Sequence, residues 1–309
     1  MRFHAPAIMY FNAVRKAGSI RGAARTLNVA SSAVNRQILN LEQEIGGPLF
    51  ERRSAGLKLT AVGEMFARHV IVVMQDLERF KSDVHGLSGG SIGTVRLANV
   101  ESLNESVLPE LIKSGRTRSQ RVTVKTQTMG SFDIQSVLAN GDIDIGVAFA
   151  LRRHSELRQV TLARLRLGAL VSSSNPLAKR RRVSLAKCME SPLIFPGSEL
   201  ATHQLLQPLL ARLPVVPGPV VEANSIELMR ELAERGVGIS FHTRIGVERL
   251  LETGRITFVP LDNAGEPVWA DLGVYVRADR ALPMHVEAFI QELVRILHER
   301  ESLENAAYA

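Results

Sequence analysis

Seven apolar residues of this 309-residue chain, Phe66, Val70, Val73, Leu77, Phe80, Val84 and Leu87, recur at spacings of 4, 3, 4, 3, 4 and 3. Steps that alternate in this way return side chains to one stripe of a helix every seven residues. A straight helix drifts away from a strict seven-residue repeat. A seam held over three heptads therefore suits a partner helix that supercoils with it better than it suits a fixed surface. The spacing predicts one long helix over 60–88, paired with the same helix of a second copy through Phe66, Val70, Val73, Leu77, Phe80 and Val84. Packing of that helix on its own domain is the alternative. The stretch "GLSGGSIG" at 86–93 ends the helix and reads as a hinge. The chain is thereby divided into a unit at 4–62, a linker helix at 63–88 and a larger unit at 92–301.

The two flanking units carry different periodicities. Before the seam the pattern is short helices. Ile8, Phe11 and Val14 form one apolar face, and Ile20, Ala23, Ala24 and Leu27 form a second. Val34, Ile38 and Leu41 form a third, broken by "GGP". Two helices joined by a turn of about three residues match a helix-turn-helix. The tight Ala23-Ala24 pair suits their close crossing. "LFERRSAGLKLT" reads as a hairpin with two arginines on its rising arm, a basic wing. After the seam, strand-like runs ("TVRLANV", "RVTVKTQTM", "DIDIGVAFA", "LGALVSS", "SPLIFPG") alternate with helix-like runs ("NESVLPELIKSG", "DIQSVLANG", "ATHQLLQPLLARL", "SIELMRELAERG", "MHVEAFIQELVRILHER"). Such alternation predicts α/β units with mostly parallel sheets, in two lobes with a cleft at the carboxyl ends of the strands.

Charge points to a partner for the first unit. Residues 1–60 hold nine Lys/Arg (Arg2, Arg15, Lys16, Arg21, Arg25, Arg36, Arg52, Arg53, Lys58) against Glu42, Glu44 and Glu51, a net +6 of the chain's +7. A basic segment of this kind attracts polyanions, nucleic acid first. No apolar run reaches the length of a membrane span and no secretory leader precedes the first helix, so a cytoplasmic protein without membrane contact is expected. Cys188 stands alone. It leaves no intramolecular disulfide, no cysteine zinc cage and no two-cysteine redox switch. Nothing in the sequence points to a cofactor or a metal.

The segment "FNAVRKAGSIRGAARTLNVASSAVNRQILNLEQEIGGPLFERRSAGLKLTAVG" resembles the winged helix-turn-helix of LysR-type transcriptional regulators. The likeness is carried by Phe11, Val14, Gly18-Ser19, Ala23-Ala24, Leu27, Val29, Ala33-Val34, Arg36-Gln37-Ile38, Leu41-Glu42, Gly46, Leu49-Phe50-Glu51-Arg52, Leu59-Thr60 and Gly63. It continues more loosely through "GTVRLA", "LPELI", "LANGDIDIGV", "NPLA" and "ELAERGVGIS". The resemblance implies a multidomain α+β and α/β protein. Its parts are the winged helix-turn-helix, a linker helix and a two-lobed, periplasmic-binding-protein-like α/β effector domain. The lobes would be about 92–163 with 269–301, and 164–268. The implied protein is a non-enzymatic regulator that binds double-stranded operator DNA and a small-molecule effector, anionic or aromatic. It would be a homodimer that commonly assembles into tetramers, with RNA polymerase as a further candidate partner.

The resemblance also nominates residues. The start of the recognition helix would read bases through Ser31, Ser32, Asn35, Arg36 and Gln37, with Arg52 and Arg53 on wing phosphates. Three positions depart from the family pattern: Ala30 where Ser or Thr usually caps the helix, Ser31-Ser32, and Asn35 where Ser is usual. Ser31 or Ser32 could take over the cap from a shifted helix start. In the effector unit, Ser102 and Ser131 match family positions at strand ends, where each either holds a ligand or simply caps a helix. Phe149 stands where some dicarboxylate-binding members carry a base, and supplies an aromatic wall instead. "FPGSELATH" offers Ser198, Thr202 and His203 from the second lobe. His242 is either polar lining or a satisfied core histidine.

Two other patterns carry less. "GLSGG" at 86–90 matches a hydrolase nucleophile pattern, but a helix precedes Ser88 and a strand follows, the inverse of the order that motif needs. "KRRR" at 179–182 reads as a solvated loop. A solute-binding module without a DNA role would keep the cleft, and the basic first unit argues against it.

Overall fold

The computed structural model describes residues 6–54, 56–87, 93–118, 121–149, 151 and 153–308. Ser88 and the hinge from 88 to 92 lie outside the described residues. Contacts divide the chain into a unit that ends at Val84, joined by Asp279–Ala281, and a unit of His85–Ala278 with Leu282–Ala309.

The first unit contains α1 (Pro6–Ala17), α2 (Ile20–Leu27), α3 (Ser31–Ile45), the hairpin β1 (Phe50–Arg53) and β2 (Gly56–Leu59), and α4 (Ala61–Leu87). Phe11, Val14, Ala23, Val34 and Leu49 are fully buried in its core. Each helix end has a local cause. Ser19 caps α2 by accepting from Gly22 N, and Asn28 closes α2 in the left-handed region at φ 54°. The Glu42 carboxylate accepts from Leu49 N (2.7 Å) and Phe50 N (3.3 Å), which pins the hairpin to α3. Thr60 Oγ1 accepts from Gly63 N and caps α4. Gly63 must be glycine, because a Cβ there would stand 2.0 Å from Leu49 O.

The seam divides unevenly. Phe66 packs edge-on against Phe11 at 4.8 Å between ring centroids, and Val70 is fully buried in the unit's own core. These two residues are taken by their own domain, contrary to the expectation that they face a partner. Val73 and Leu77 are half-buried, and Phe80 and Val84 are exposed.

The second unit is built on one continuous sheet. Its first part contains β3 (Gly93–Asn99), α5 (Val107–Arg118), β4 (Val122–Thr128), α6 (Ser131–Ala139), β5 (Ile145–Phe149) and β6 (Leu157–Ser172). Next come β7 (Val183–Ser184), α7 (Leu185–Cys188), β8 (Ile194–Pro196), α8 (Ala201–Leu210), β9 (Val221–Ala223), α9 (Ile226–Glu234) and β10 (Ser240–Thr243). The chain closes with α10 (Glu248–Glu252), β11 (Ile256–Asn263), β12 (Glu266–Pro267), β13 (Trp269–Arg277) and α11 (Met284–Ala307).

The long strand β6 passes through both lobes. Its first half, to Arg166, pairs antiparallel with β13, which continues into β5, β3 and β4 as the sheet of lobe I. Its second half, from Leu167, pairs antiparallel with β10 and β11 in lobe II. The sheets are therefore mixed rather than mostly parallel. β3–β4, β3–β5, β8–β9 and β11–β7 are parallel, while every pairing of β6 and β13 is antiparallel. An antiparallel return is what allows one pair of strands to serve as the crossover between lobes. Helix α11 runs to Ala307, beyond the expected end near 301.

The lobes are tied together across their cleft. The Glu101 carboxylate, just after β3, accepts from Ile226 N (3.1 Å), Glu227 N (2.9 Å) and Ser225 Oγ (3.4 Å) at the start of α9. Arg230 of α9 pairs with Glu105. Ser106 Oγ donates to Glu248 Oε1 at 3.1 Å. Gly246, at φ +84°, lies so close to the Ser102 carbonyl that a Cβ would stand 2.2 Å from its oxygen.

Candidate nucleic-acid interface and ligand cleft

Helix α3 has two faces of different character. Val34, Ile38 and Leu41 are buried, whereas Ser31, Ser32, Asn35 and Arg36 are exposed and Gln37 is half-buried. The helix starts at Ser31 with Ala30 as its N-cap, and no side chain caps it. The shifted start that would let Ser31 or Ser32 cap α3 does not occur, because Ala30 already holds the extended cap geometry at φ −68° and ψ 139°. The serine hydroxyls are thus free to face outward at a helix N-terminus, where first-turn N–H groups and the dipole favour an anion.

Two arginines join this face that the motif reading did not select. Arg21 and Arg25 line a shallow hollow with Asn28, Val29 and Ser31. Both are exposed and neither makes an ion pair among the described residues. Their i, i+4 spacing on α2, opposite the buried Ala23-Ala24 pair, was the available signal. On the wing, Arg52 is exposed without an ionic partner among the described residues. Arg53 instead pairs with Glu51 at 2.6 Å, which offsets its charge.

In the second unit the cleft between the lobes encloses a cavity of about 220 Å³. Lobe I contributes Ser102, Thr128, Met129, Gly130, Ser131, Asp133 and Phe149. Lobe II contributes Glu199, Leu200, Ala201, Thr202, Asn224, Ile226, His242, Thr243 and Ile245. The structure thus places Ser102, Ser131, Phe149 and Thr202 together on one cavity. It does not place Ser198 or His203 there. Ser198 is exposed on the preceding turn, and the His203 ring turns to Pro196 O (3.0 Å) and Gln207 Nε2 (2.8 Å).

Ser102 and Ser131 are 6 % and 7 % exposed, and neither hydroxyl has a hydrogen-bond partner among the described residues. A buried hydroxyl without a partner costs about 1–3 kcal/mol. The capping role that could have explained each serine is absent. Ser102 lies inside a 3₁₀ turn capped by Val100, and Ser131 is the first residue of α6 behind an N-cap of Gly130. The N-terminus of α6 itself has no side-chain cap.

His242 is buried, and its Nε2 lies 2.9 Å from Ser240 Oγ. Burial, reinforced by the positive charge of Arg230, pushes its pKa down to about 3, so the ring is neutral at physiological pH. It is a buried histidine and cavity lining at once. Cys188 is fully buried and its thiol is pushed up to about 12 by desolvation, which leaves it protonated. Among the described residues no group of three His, Cys, Asp or Glu side chains is arranged to hold a metal, and no helix is long and apolar enough to cross a membrane. The "KRRR" loop is exposed, with Arg182 paired to Asp262 at 3.2 Å.

Comparison with known proteins bears on both units. Residues 6–64 match the family of bacterial regulatory helix-turn-helix proteins of the lysR type, and residues 88–297 match the LysR substrate-binding domain. The transcriptional regulator ClcR of Pseudomonas putida is 30 % identical over 75 % of this chain and 80 % of its own. Full-length OxyR of Pseudomonas aeruginosa superposes with a TM-score of 0.72 at 16 % identity, over 96 % of this chain and 95 % of that one. CbnR in complex with its target DNA superposes with a TM-score of 0.54 at 22 % identity, covering 94 % and 98 %.

Proposed function

The chain belongs to the LysR family of bacterial transcriptional regulators, and from that premise we propose how its own residues divide the work. Helix α3 enters the major groove of operator DNA with Ser31, Ser32, Asn35, Arg36 and Gln37 toward the base edges. Asn35 suits adenine, whose N6 donates and N7 accepts in the pattern a carboxamide matches. Arg21, Arg25, Arg52 and Arg53 engage phosphates, which position the protein without reading sequence. Two copies join through the later part of the α4 seam, Val73, Leu77, Phe80 and Val84. A homotetramer and contact with RNA polymerase belong to the same reading.

The cleft is the control site. The observation that supports it best is the pair of buried, unpartnered hydroxyls of Ser102 and Ser131 on one cavity beside the uncapped start of α6. A small effector that bonds them fills a deficit present in the empty cleft. The cross-lobe contacts of Glu101, Glu105 and Ser106 hold the lobes together in its absence. An effector acts on DNA only to the extent that it binds one lobe arrangement more tightly than another.

DNA flanking the protein's own gene, titrated against the full-length protein by fluorescence anisotropy, tests the reading. Asn35→Ala and Arg36→Ala should each weaken specific binding by about 1–3 kcal/mol and leave binding to unrelated duplex nearly unchanged. Equal losses on both duplexes would remove base reading from these residues.

A further inference from the structure

The cavity has a charge pattern that narrows its ligand. Among the described residues three carboxylates line it, Glu101, Asp133 and Glu199, and no lysine or arginine does. Arg230, whose charge acts on the lining residue His242, is already paired with Glu105. Glu101 is occupied at the start of α9, and Glu199 accepts from Asn224 Nδ2, at 3.2 Å. Asp133 makes no hydrogen bond or ion pair among the described residues. A ligand carrying only negative charge would enter against this field, because like charges brought together at an interface oppose binding.

The first turn of α6, which carries Asp133, also asks for an acceptor. The hydroxyls of Ser102 and Ser131 and the uncapped first turn of α6 offer hydrogen-bond donors with nothing to receive them. The lining also includes apolar Met129, Phe149, Leu200 and Ile226. A volume of about 220 Å³ holds roughly seven waters at about 30 Å³ each, so the ligand is small.

Resting on the cleft as effector site, we propose that the effector carries an amino group. It is an amino acid or a related zwitterion, with its acceptor end at Ser102, Ser131 and the start of α6 and its ammonium group facing Asp133 and Glu199. The apolar wall takes its side chain.

The test uses full-length protein and a panel of the twenty protein amino acids. Each apolar member is accompanied by its desamino acid and its decarboxylated amine; leucine, 4-methylpentanoate and 3-methylbutylamine form one such set. Thermal shift finds the binders and calorimetry ranks them. At least one amino acid should bind about tenfold or more tightly than its desamino partner, the range expected for a charge-assisted hydrogen bond. Asp133→Asn combined with Glu199→Gln should bring that preference close to one, in protein that circular dichroism and melting show to be folded.

A preference that survives both neutralisations overturns the proposal. So does a desamino acid that binds more tightly than its amino acid, which would still leave the cleft as the effector site. Silence from the whole panel overturns the ligand class, and the DNA titration above then tests the regulator reading separately.

Discussion

Glu101 links the ligand cleft to the arrangement of the lobes. Its carboxylate reaches from lobe I to the first turn of α9 in lobe II and accepts from Ile226 N, Glu227 N and Ser225 Oγ. Replacement by Ala removes a charge-assisted set of hydrogen bonds worth about 1.5–3 kcal/mol and a favourable charge–dipole contact worth about 0.3–1 kcal/mol. The half-buried setting of Glu101 and the retained Ser225 cap to Leu228 N keep the sum toward the lower figures. A net loss of about 2 kcal/mol corresponds to roughly a thirtyfold shift toward separated lobes. Amide exchange at Ile226 and Glu227 should accelerate by about that factor, while exchange in β3 and β13 stays at its original rate. Small-angle scattering should show a larger second unit. Glu101→Gln should lie between wild type and Ala, since it keeps the acceptor and loses the charge. Unchanged exchange at both amides in Glu101→Ala would refute the contact as a restraint between the lobes.

Four further outcomes rest on the same structure. If a dimer neutralises about 6–10 phosphates, operator affinity should fall about 10³- to 10⁵-fold between 50 and 200 mM salt, and a flat titration would remove phosphate contacts as the main source of affinity. Val73→Asp with Leu77→Asp should dissociate oligomers in sedimentation without melting the first unit. Phe66→Ala should instead lower stability by about 3–5 kcal/mol, because Phe66 packs on Phe11 inside one copy. Burial pushes the Glu304 carboxyl up to about 7 from 4.5. The folded state then holds more protons than the unfolded state between those values, so this group's contribution to stability is full at low pH and is lost as pH rises toward 7. Glu304→Gln should flatten the denaturation midpoint between pH 5 and pH 7, and an unaltered slope would mean that Glu304 is ionised across that range.

The first unit was legible in the sequence because its signals are local. Ser19, Asn28 and the "GGP" break set helix ends, and the apolar spacing of Val34, Ile38 and Leu41 names the buried face of α3. The seam was over-read at Phe66 and Val70, since a heptad stripe does not say which part of a helix its own domain covers. The α/β class was legible, but the antiparallel crossover was not. In "ARLR" the buried Ala163 and Leu165 alternate with Arg164 and Arg166, and alternation of that kind marks a strand without naming its partner. The cleft divides in the same way. Ser102, Ser131 and Phe149 came from resemblance, whereas Asp133, Glu199, Asn224 and Thr243 are brought together by lobe closure across long sequence distances. Ser198 and His203 failed because a turn and a single helical step point their side chains elsewhere.

The central claim is that a ligand in the cleft changes how the first unit holds DNA. The direct measurement takes any compound that raises the melting temperature of the wild type but not that of Ser102→Ala/Ser131→Ala. It records operator affinity and footprint length with and without that compound. The account predicts a change in affinity of about 5- to 150-fold, or a footprint that lengthens or shortens, in the wild type and in neither respect for the double variant. A compound bound in the cleft that leaves both affinity and footprint unchanged would contradict it.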